Sequence, residues 1–196
     1  MSSAGSSAAG RLGSAPRSAA QARIVTAALV LFAEHGVGGT SLQMIADAIG
    51  VTKAAVYHQF KTKEEIVVAA VEVELARLEP ALDAAEADED GPRALDLLLT
   101  QVIQLAVERR RMVSTLEYDP VVVRLLAEHE PFTTFMQRLF RLLVGYGTGA
   151  EARVRAAMIS TAIGGAVTHP LVADLDDDTL RAQLLHLTRQ FLDLPE

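Results

Sequence analysis

The segment TSLQMIADAIGVTKAAVYHQFKTKEE, Thr40 to Glu65, decides how the rest of the chain is read. Ser41 precedes Ile45, Ala46 and Ile49, apolar residues at helical spacing, so its hydroxyl is placed to cap a short helix. Gly50 follows where the chain must turn and is the residue best able to take a positive φ. Thr52 then opens a second helix, with Val56 and Phe60 directed inward and Thr52, Lys53, Ala54, Ala55 and Tyr57 left to a partner. Two short capped helices about a glycine turn, followed by the basic residues Lys61 and Lys63, have the build of a DNA-reading helix-turn-helix.

Charge supports that reading once it is resolved along the chain. The formal total is −7 over 196 residues, which argues against a nucleic-acid partner only if it is evenly spread. Between Arg11 and Lys63, six basic residues (Arg11, Arg17, Arg23, Lys53, Lys61 and Lys63) face only Glu34 and Asp47, a local +4. Residues 64 to 196 carry twelve basic and twenty-three acidic side chains, or −11. A cationic head serves contacts to phosphate, while an acidic body repels the duplex and orients the approach.

Composition bounds the remainder. Half of the residues are hydrophobic, enough for a sizeable core, and the absence of cysteine removes disulfides, thiolate metal sites and cysteine nucleophiles. No uninterrupted apolar run has the length of a bilayer span and no secretory block opens the chain, so a cytoplasmic protein without a membrane partner is expected.

The periodicity predicts an all-α chain. Residues 1–18, rich in Ser, Ala and Gly, read as a flexible arm, an idle tail rather than one whose Arg11 and Arg17 reach along a DNA backbone or into a minor groove. Helices are expected over Ala19 to Glu34, with Gly36 beyond its end, and from Lys63 to about Ala84 as a long connecting rod that Pro80 kinks or ends. The run Asp83 to Pro92 (DAAEADEDGP) reads as a solvated acidic loop. Further helices are expected over Arg93 to Met112, Val121 to Glu128, Phe132 to Val144, Glu151 to Thr168 and Asp178 to Leu192. The expected division is an arm (1–18), a helix-turn-helix domain (19–62) and a larger helical domain (63–196).

Within Arg17 to Ile66, the order Gly36, Thr40-Ser41, Ile45-Ala46, Gly50-Val51-Thr52, Val56-Tyr57, Phe60, Lys63-Glu64 resembles the signature of TetR/AcrR transcriptional regulators. The family usually places His or Tyr directly before the Phe, where this chain has Gln59 after His58. The resemblance implies a ligand-responsive dimeric regulator, most often a repressor, that binds a palindromic double-stranded DNA operator and is released by a small-molecule effector. It implies that the last two helices pair with their copies in a four-helix bundle. Small residues on the earlier of these (Ala157, Thr161 and Gly164 among them) and the seam Leu180, Leu184, Leu187 and Phe191 on the later one are the candidate homodimer interface. Two heads 34 to 36 Å apart, roughly one helical turn, can engage successive major grooves.

Chemistry assigns provisional roles within the head. The first free N–H groups at Ser41 and the hydroxyl of Thr52 suit phosphate, as do Tyr57 and Lys63. Lys53 can donate to guanine O6 and N7, the methyl groups of Ala54 and Ala55 can meet a thymine methyl, and His58 can serve either class of contact. In the larger domain, Val102, Met112, Phe135, Met136 and Met158 are candidates to line an effector cavity, with a largely apolar effector expected. The alternative is a helical module that sequesters a ligand or a protein, its DNA head no longer functional.

Two patterns imitate other functions. Asp174, Asp176 and Asp178 have the opening spacing of a calcium loop, but Thr179 stands where glycine is required and Leu185 where the closing glutamate belongs. Gly145, Gly147 and Gly149 imitate a nucleotide-binding turn without the preceding strand. No metal, no cofactor and no enzymatic activity are expected, since the motifs of zinc hydrolases, serine hydrolases and P-loop enzymes are missing.

Overall fold

The computed structural model describes residues 11–12, 16–87, 91–110, 119–144, 149–192 and 194, and among them it is helical without strands. The helices are α1 (Ala19–Gly39), α2 (Leu42–Ala48), α3 (Lys53–Gln59), α4 (Lys63–Leu75), α5 (Glu79–Ala87), α6 (Gly91–Glu108), α7 (Pro120–Ala127), α8 (Glu130–Val144), α9 (Ala150–Thr168) and α10 (Asp177–Phe191). Packing divides the chain into two compact units. The first comprises Met1–Arg77 with Thr115–Thr134, and the second Leu78–Ser114 with Phe135–Glu196. The first unit therefore extends past the boundary expected at Lys63, taking in α4 and α7.

In the first unit the capping expectations are met by local bonds. Ser41 Oγ accepts from the backbone N–H of Met44 at 3.2 Å, and Thr52 Oγ1 accepts from that of Ala55 at 3.2 Å. Gly50 adopts φ 69° between the two helices, a conformation that costs glycine little and other residues more. Ser18 closes a full capping box on α1 with Gln21, so the segment before α1 is folded at its end. Arg17 likewise pairs with Glu72 on α4, which corrects the expectation of a free arm at these two residues. Residues 1–10 and 13–15 of that expected arm lie outside the described residues.

Gly36 has φ 72° and ψ 164°, so α1 bends there before its last turn. The buried side chains of Ile24, Val25, Ala28 and Phe32 on α1 share a core with Ile45, Ala46, Val56, Phe60, Ile66, Val67 and Ala70. α1 has the length and mean hydropathy of a bilayer span, but Arg23 and Glu34 lie within it and this face is committed to the core.

The long rod is interrupted. A 3-10 turn, Ala76–Leu78, ends α4 two residues before Pro80, and α5 starts anew with Pro80 in its first turn, where the missing N–H costs nothing. The expected acidic loop also changes character. Asp83 to Ala87 continue α5, residues 88–90 lie outside the described residues, and α6 starts at Gly91.

In the second unit, α6 packs against α5, α9 and α10. Leu98, Leu99 and Ile103 of α6 are buried with Leu82, Phe135, Leu139, Ile159, Ile163 and Leu180. Two ionic devices fix this unit. Arg189 of α10 grips Asp96 of α6 with two bonds of 2.6 and 2.9 Å. Arg138 of α8 donates to Glu79 at 2.7 Å, Asp83 at 2.6 Å and Glu86 at 2.7 Å, all on α5. Its pKa is raised beyond the ordinary arginine value, chiefly by the hydrogen bond to Glu86 and further by those to Glu79 and Asp83, against the opposing cost of burial. The residues read as a solvated run thus include Asp83 and Glu86, partners of a cation more than fifty positions away. Asp176 caps α10, accepting from the N–H of Thr179 at 2.8 Å and from its hydroxyl at 2.9 Å. These bonds hold its carboxylate below the usual range, the backbone bond most of all, so the calcium-loop imitation is a helix cap.

Candidate nucleic-acid interface

α2 and α3 are held by α1 while the outer side of α3 stays open. Val56 and Phe60 are buried, and Ile45 and Ala46 seat α2 against them. With those positions inward, helical periodicity turns the remainder of α3 outward. Thr52, Lys53, Ala54, Ala55 and His58 are exposed, and Tyr57 is 53% exposed. Ser41 is exposed at the start of α2. Seven of the eight residues assigned to DNA by sequence, all but Lys63, therefore share accessibility on the two helices. Lys61 adds a cation beside them, its Nζ 5.4 Å from the Tyr57 ring centroid and 3.4 Å from the Tyr57 carbonyl it donates to. A cation over that ring restrains an otherwise mobile exposed tyrosine.

Lys63 is different. Its ammonium donates to the backbone carbonyls of Val37 at 2.7 Å and Thr40 at 3.2 Å, on the chain leaving α1. Thr40 is buried and donates its hydroxyl to the carbonyls of Gly36 at 2.8 Å and Leu31 at 3.2 Å. Carbonyls at the end of a helix attract a cation, and Lys63 adds a second donor to that of Val37, which also accepts the N–H of Thr40. This corrects the assignment of Lys63 as a phosphate clamp: its donors are engaged inside the head, where they set the entry of α2. Lys63→Ala is expected to lower stability by about 1.5–3 kcal/mol, the range for hydrogen bonds from a charged group. Its DNA affinity should fall without flattening the dependence on salt. Parallel thermal melts and binding titrations from low to high salt check this, and a slope reduced by about one would restore the phosphate contact.

Three supporting residues escaped the sequence reading. Arg23 donates from α1 to the carbonyl of Ile49 at 3.0 Å, closing the end of α2. Gln59 meets Ser18 and His58 through its side-chain amide. Glu72 accepts from Arg17 and lies 3.0 Å from His129 Nε2, tying α4 to residues on either side of it in the first unit. Each pairing spans positions too distant, or too weakly patterned, for periodicity to reveal; only the Gln59 departure from the usual aromatic or histidine flagged one of them.

In the second unit the candidate cavity residues do not share one environment. Phe135 is buried, Val102 and Met136 are half-buried, and Met158 is 53% exposed, so Met158 is withdrawn from the interior lining. Met112 lies outside the described residues. The candidate dimer residues also separate. Gly164, Leu180 and Leu184 are buried within the unit and are thereby withdrawn from the outer face, whereas Ala157, Thr161, Leu187 and Phe191 are exposed. Val154 and Met158 stand exposed with them, giving α9 and α10 each an outward apolar pair spaced by four residues.

Comparison with known proteins agrees with this geometry. Residues 24–70 match the model for "Bacterial regulatory proteins, tetR family", which spans α1 to the middle of α4. The chain is 28% identical over 146 residues to an uncharacterized HTH-type transcriptional regulator, YerO, of Bacillus subtilis strain 168. That alignment covers 67% of this chain and 48% of the relative, so the chain spans about half the length of the curated protein it matches. Among solved structures, it is similar to NalD, the secondary repressor of the MexAB-OprM multidrug efflux pump in Pseudomonas aeruginosa, at 26% identity and TM-score 0.60, covering 88% of this chain and 94% of that one. It is similar in fold to FadR from Bacillus subtilis in complex with stearoyl-CoA, at 19% identity and TM-score 0.64, covering 88% and 96%.

Proposed function

We propose that this chain, which belongs to the TetR family of transcriptional regulators, is a ligand-responsive homodimeric repressor that reads a palindromic operator with α3. The observation that carries the reading is the exposure of Lys53, Ala54, Ala55, Tyr57 and His58 on a capped helix whose opposite side is buried. Lys53 is the base-reading cation, Ser41, Thr52 and Tyr57 fix register on phosphate, and Lys63 supports them from behind. The reading head lies within residues 19–62, backed by α4 of the first unit, and the effector-binding and dimerisation part lies in the second unit. The protein acts in the cytoplasm, with no membrane, metal or cofactor in its function.

The effector is small and largely apolar. Support comes from the apolar character of the second unit around Leu98, Leu99, Ile103, Phe135 and Leu139. A thermal-shift series with acyl chains of increasing length tests it; stabilisation by highly charged compounds alone would sink it.

The DNA reading is tested by selecting sites from randomised duplexes and titrating the winner. Wild type should retain a two-half-site palindrome. Lys53→Ala should lose about tenfold in discrimination at one base pair of each half-site, within the range for a good base contact. Equal loss on every duplex would mean that Lys53 touches only the backbone.

A further inference from the structure

The side chains of Ser18, Gln59 and His58 form a line that ends at the outer side of α3. Ser18 Oγ accepts from the N–H of Gln21 at 3.1 Å, and its own hydroxyl proton goes to Gln59 Oε1 at 3.4 Å. Gln59 Nε2 lies 3.3 Å from His58 Nδ1. An amide has one acceptor end and one donor end. With its oxygen taken by Ser18, Gln59 presents NH2 to the imidazole, so Nδ1 must be the acceptor. A neutral ring with Nδ1 unprotonated carries its proton on Nε2. His58 is exposed, one turn beyond Ala54 and on the same row of α3, whereas Gln59 is half-buried.

From this arrangement we infer that Gln59 is a positioning residue that holds His58 with Nε2–H outward, and that this donor recognises a hydrogen-bond acceptor on the duplex. The inference rests on the DNA-reading function proposed above and assigns the regulated site a specific mechanism. Ser18, the cap of α1, is the anchor of the line, so the start of α1 and the reading surface of α3 are joined by side chains as well as by the core. The line therefore turns Nδ1 toward Gln59 and leaves Nε2–H as the outward donor.

The acceptor is either a base edge in the major groove or a phosphate oxygen, and modified duplexes separate the two. The probe is the palindrome recovered by selection, prepared unmodified, with 7-deazapurines in place of purines, and with methylphosphonate links. His58→Ala should weaken binding to the unmodified probe about fivefold and Gln59→Ala about threefold, as for loss or loosening of one hydrogen bond. The double variant should match His58→Ala alone, because Gln59 acts through the ring. With each modification introduced at one position at a time, one position should weaken wild type while leaving His58→Ala unaffected, and the class of modification at that position identifies the acceptor. Nitrogen-15 spectra of the histidine side chains in full-length wild type should show the His58 proton on Nε2, with a mixture of tautomers in Gln59→Ala.

Additive losses in the double variant with wild-type binding intact, a proton on Nδ1 in wild type, or modifications that affect wild type and His58→Ala alike would each overturn the inference alone. A wild type that shifts no duplex would overturn the DNA-reading function and this donor with it. Matched melting curves for the two single variants keep the comparison free of folding effects.

Discussion

Replacing Arg138 with methionine should destabilise the second unit by about 2–4 kcal/mol at neutral pH, a little below the range for losing one partner of a buried ion pair. The Arg138 side chain is only 16% exposed and binds Glu79, Asp83 and Glu86, so its replacement takes away the cation that three carboxylates of one helix share. Methionine retains much of the apolar stem, which isolates the charge from the packing. For this size of chain the loss corresponds to a melting point lower by roughly 5–15 °C. The pH dependence has a definite sign. A pKa raised in the folded state means that Arg138 contributes fully at every pH below its ordinary value, and its contribution is lost only in stronger alkali. Melts followed by circular dichroism across pH give both quantities. A variant that melts with wild type at neutral pH would show that water replaces the guanidinium at little cost.

Leu187→Asp should abolish the proposed dimer and weaken binding to a two-half-site duplex by about 100-fold, the lower end of what tethering two binding heads supplies. Leu187 is 57% exposed, one turn before exposed Phe191, and a carboxylate there stays hydrated in the isolated chain but must lose water in an apolar contact between copies. The folded chain itself should melt as before. Leu180→Asp provides the contrast, because Leu180 is buried against the chain's own core and its replacement should unfold the second unit. Sedimentation velocity at micromolar concentration, with melting curves alongside, reads both outcomes. A dimer that survives Leu187→Asp would move the subunit contact away from α10.

The fate of each expectation follows from the distance over which its cause acts. Ser41 and Thr52 were legible as helix starts because a cap bonds a backbone group three residues ahead. Gly50 was legible because the turn demanded its φ. The inward row of α3 followed from periodicity, which fixes relative directions along one helix. Periodicity does not fix what lies opposite. Met158 was read as interior from its residue type, yet it lies on the open side of α9, and Leu180 and Leu184 were read as outward although α6 packs against α10. The break at Ala76–Leu78 was legible from Pro80, which lacks the N–H that would bond the carbonyl of Ala76 and whose ring crowds that turn. The roles of Lys63 and of the acidic residues on α5 depend on partners 23 to 59 positions away, and charge alone could not choose between solvent and a distant helix.

The pairing of Arg17 with Glu72 and the box formed by Ser18 and Gln21 also bear on where the polypeptide tolerates cutting. A protease that removed residues up to Pro16 would leave both intact. One that cut after Ser18 would expose the first amides of α1, deprive Glu72 of its arginine and release Gln59 from its anchor. Trimming by those last two residues is thus expected to loosen the proposed grip of α3 on DNA from a site more than twenty positions before Ser41.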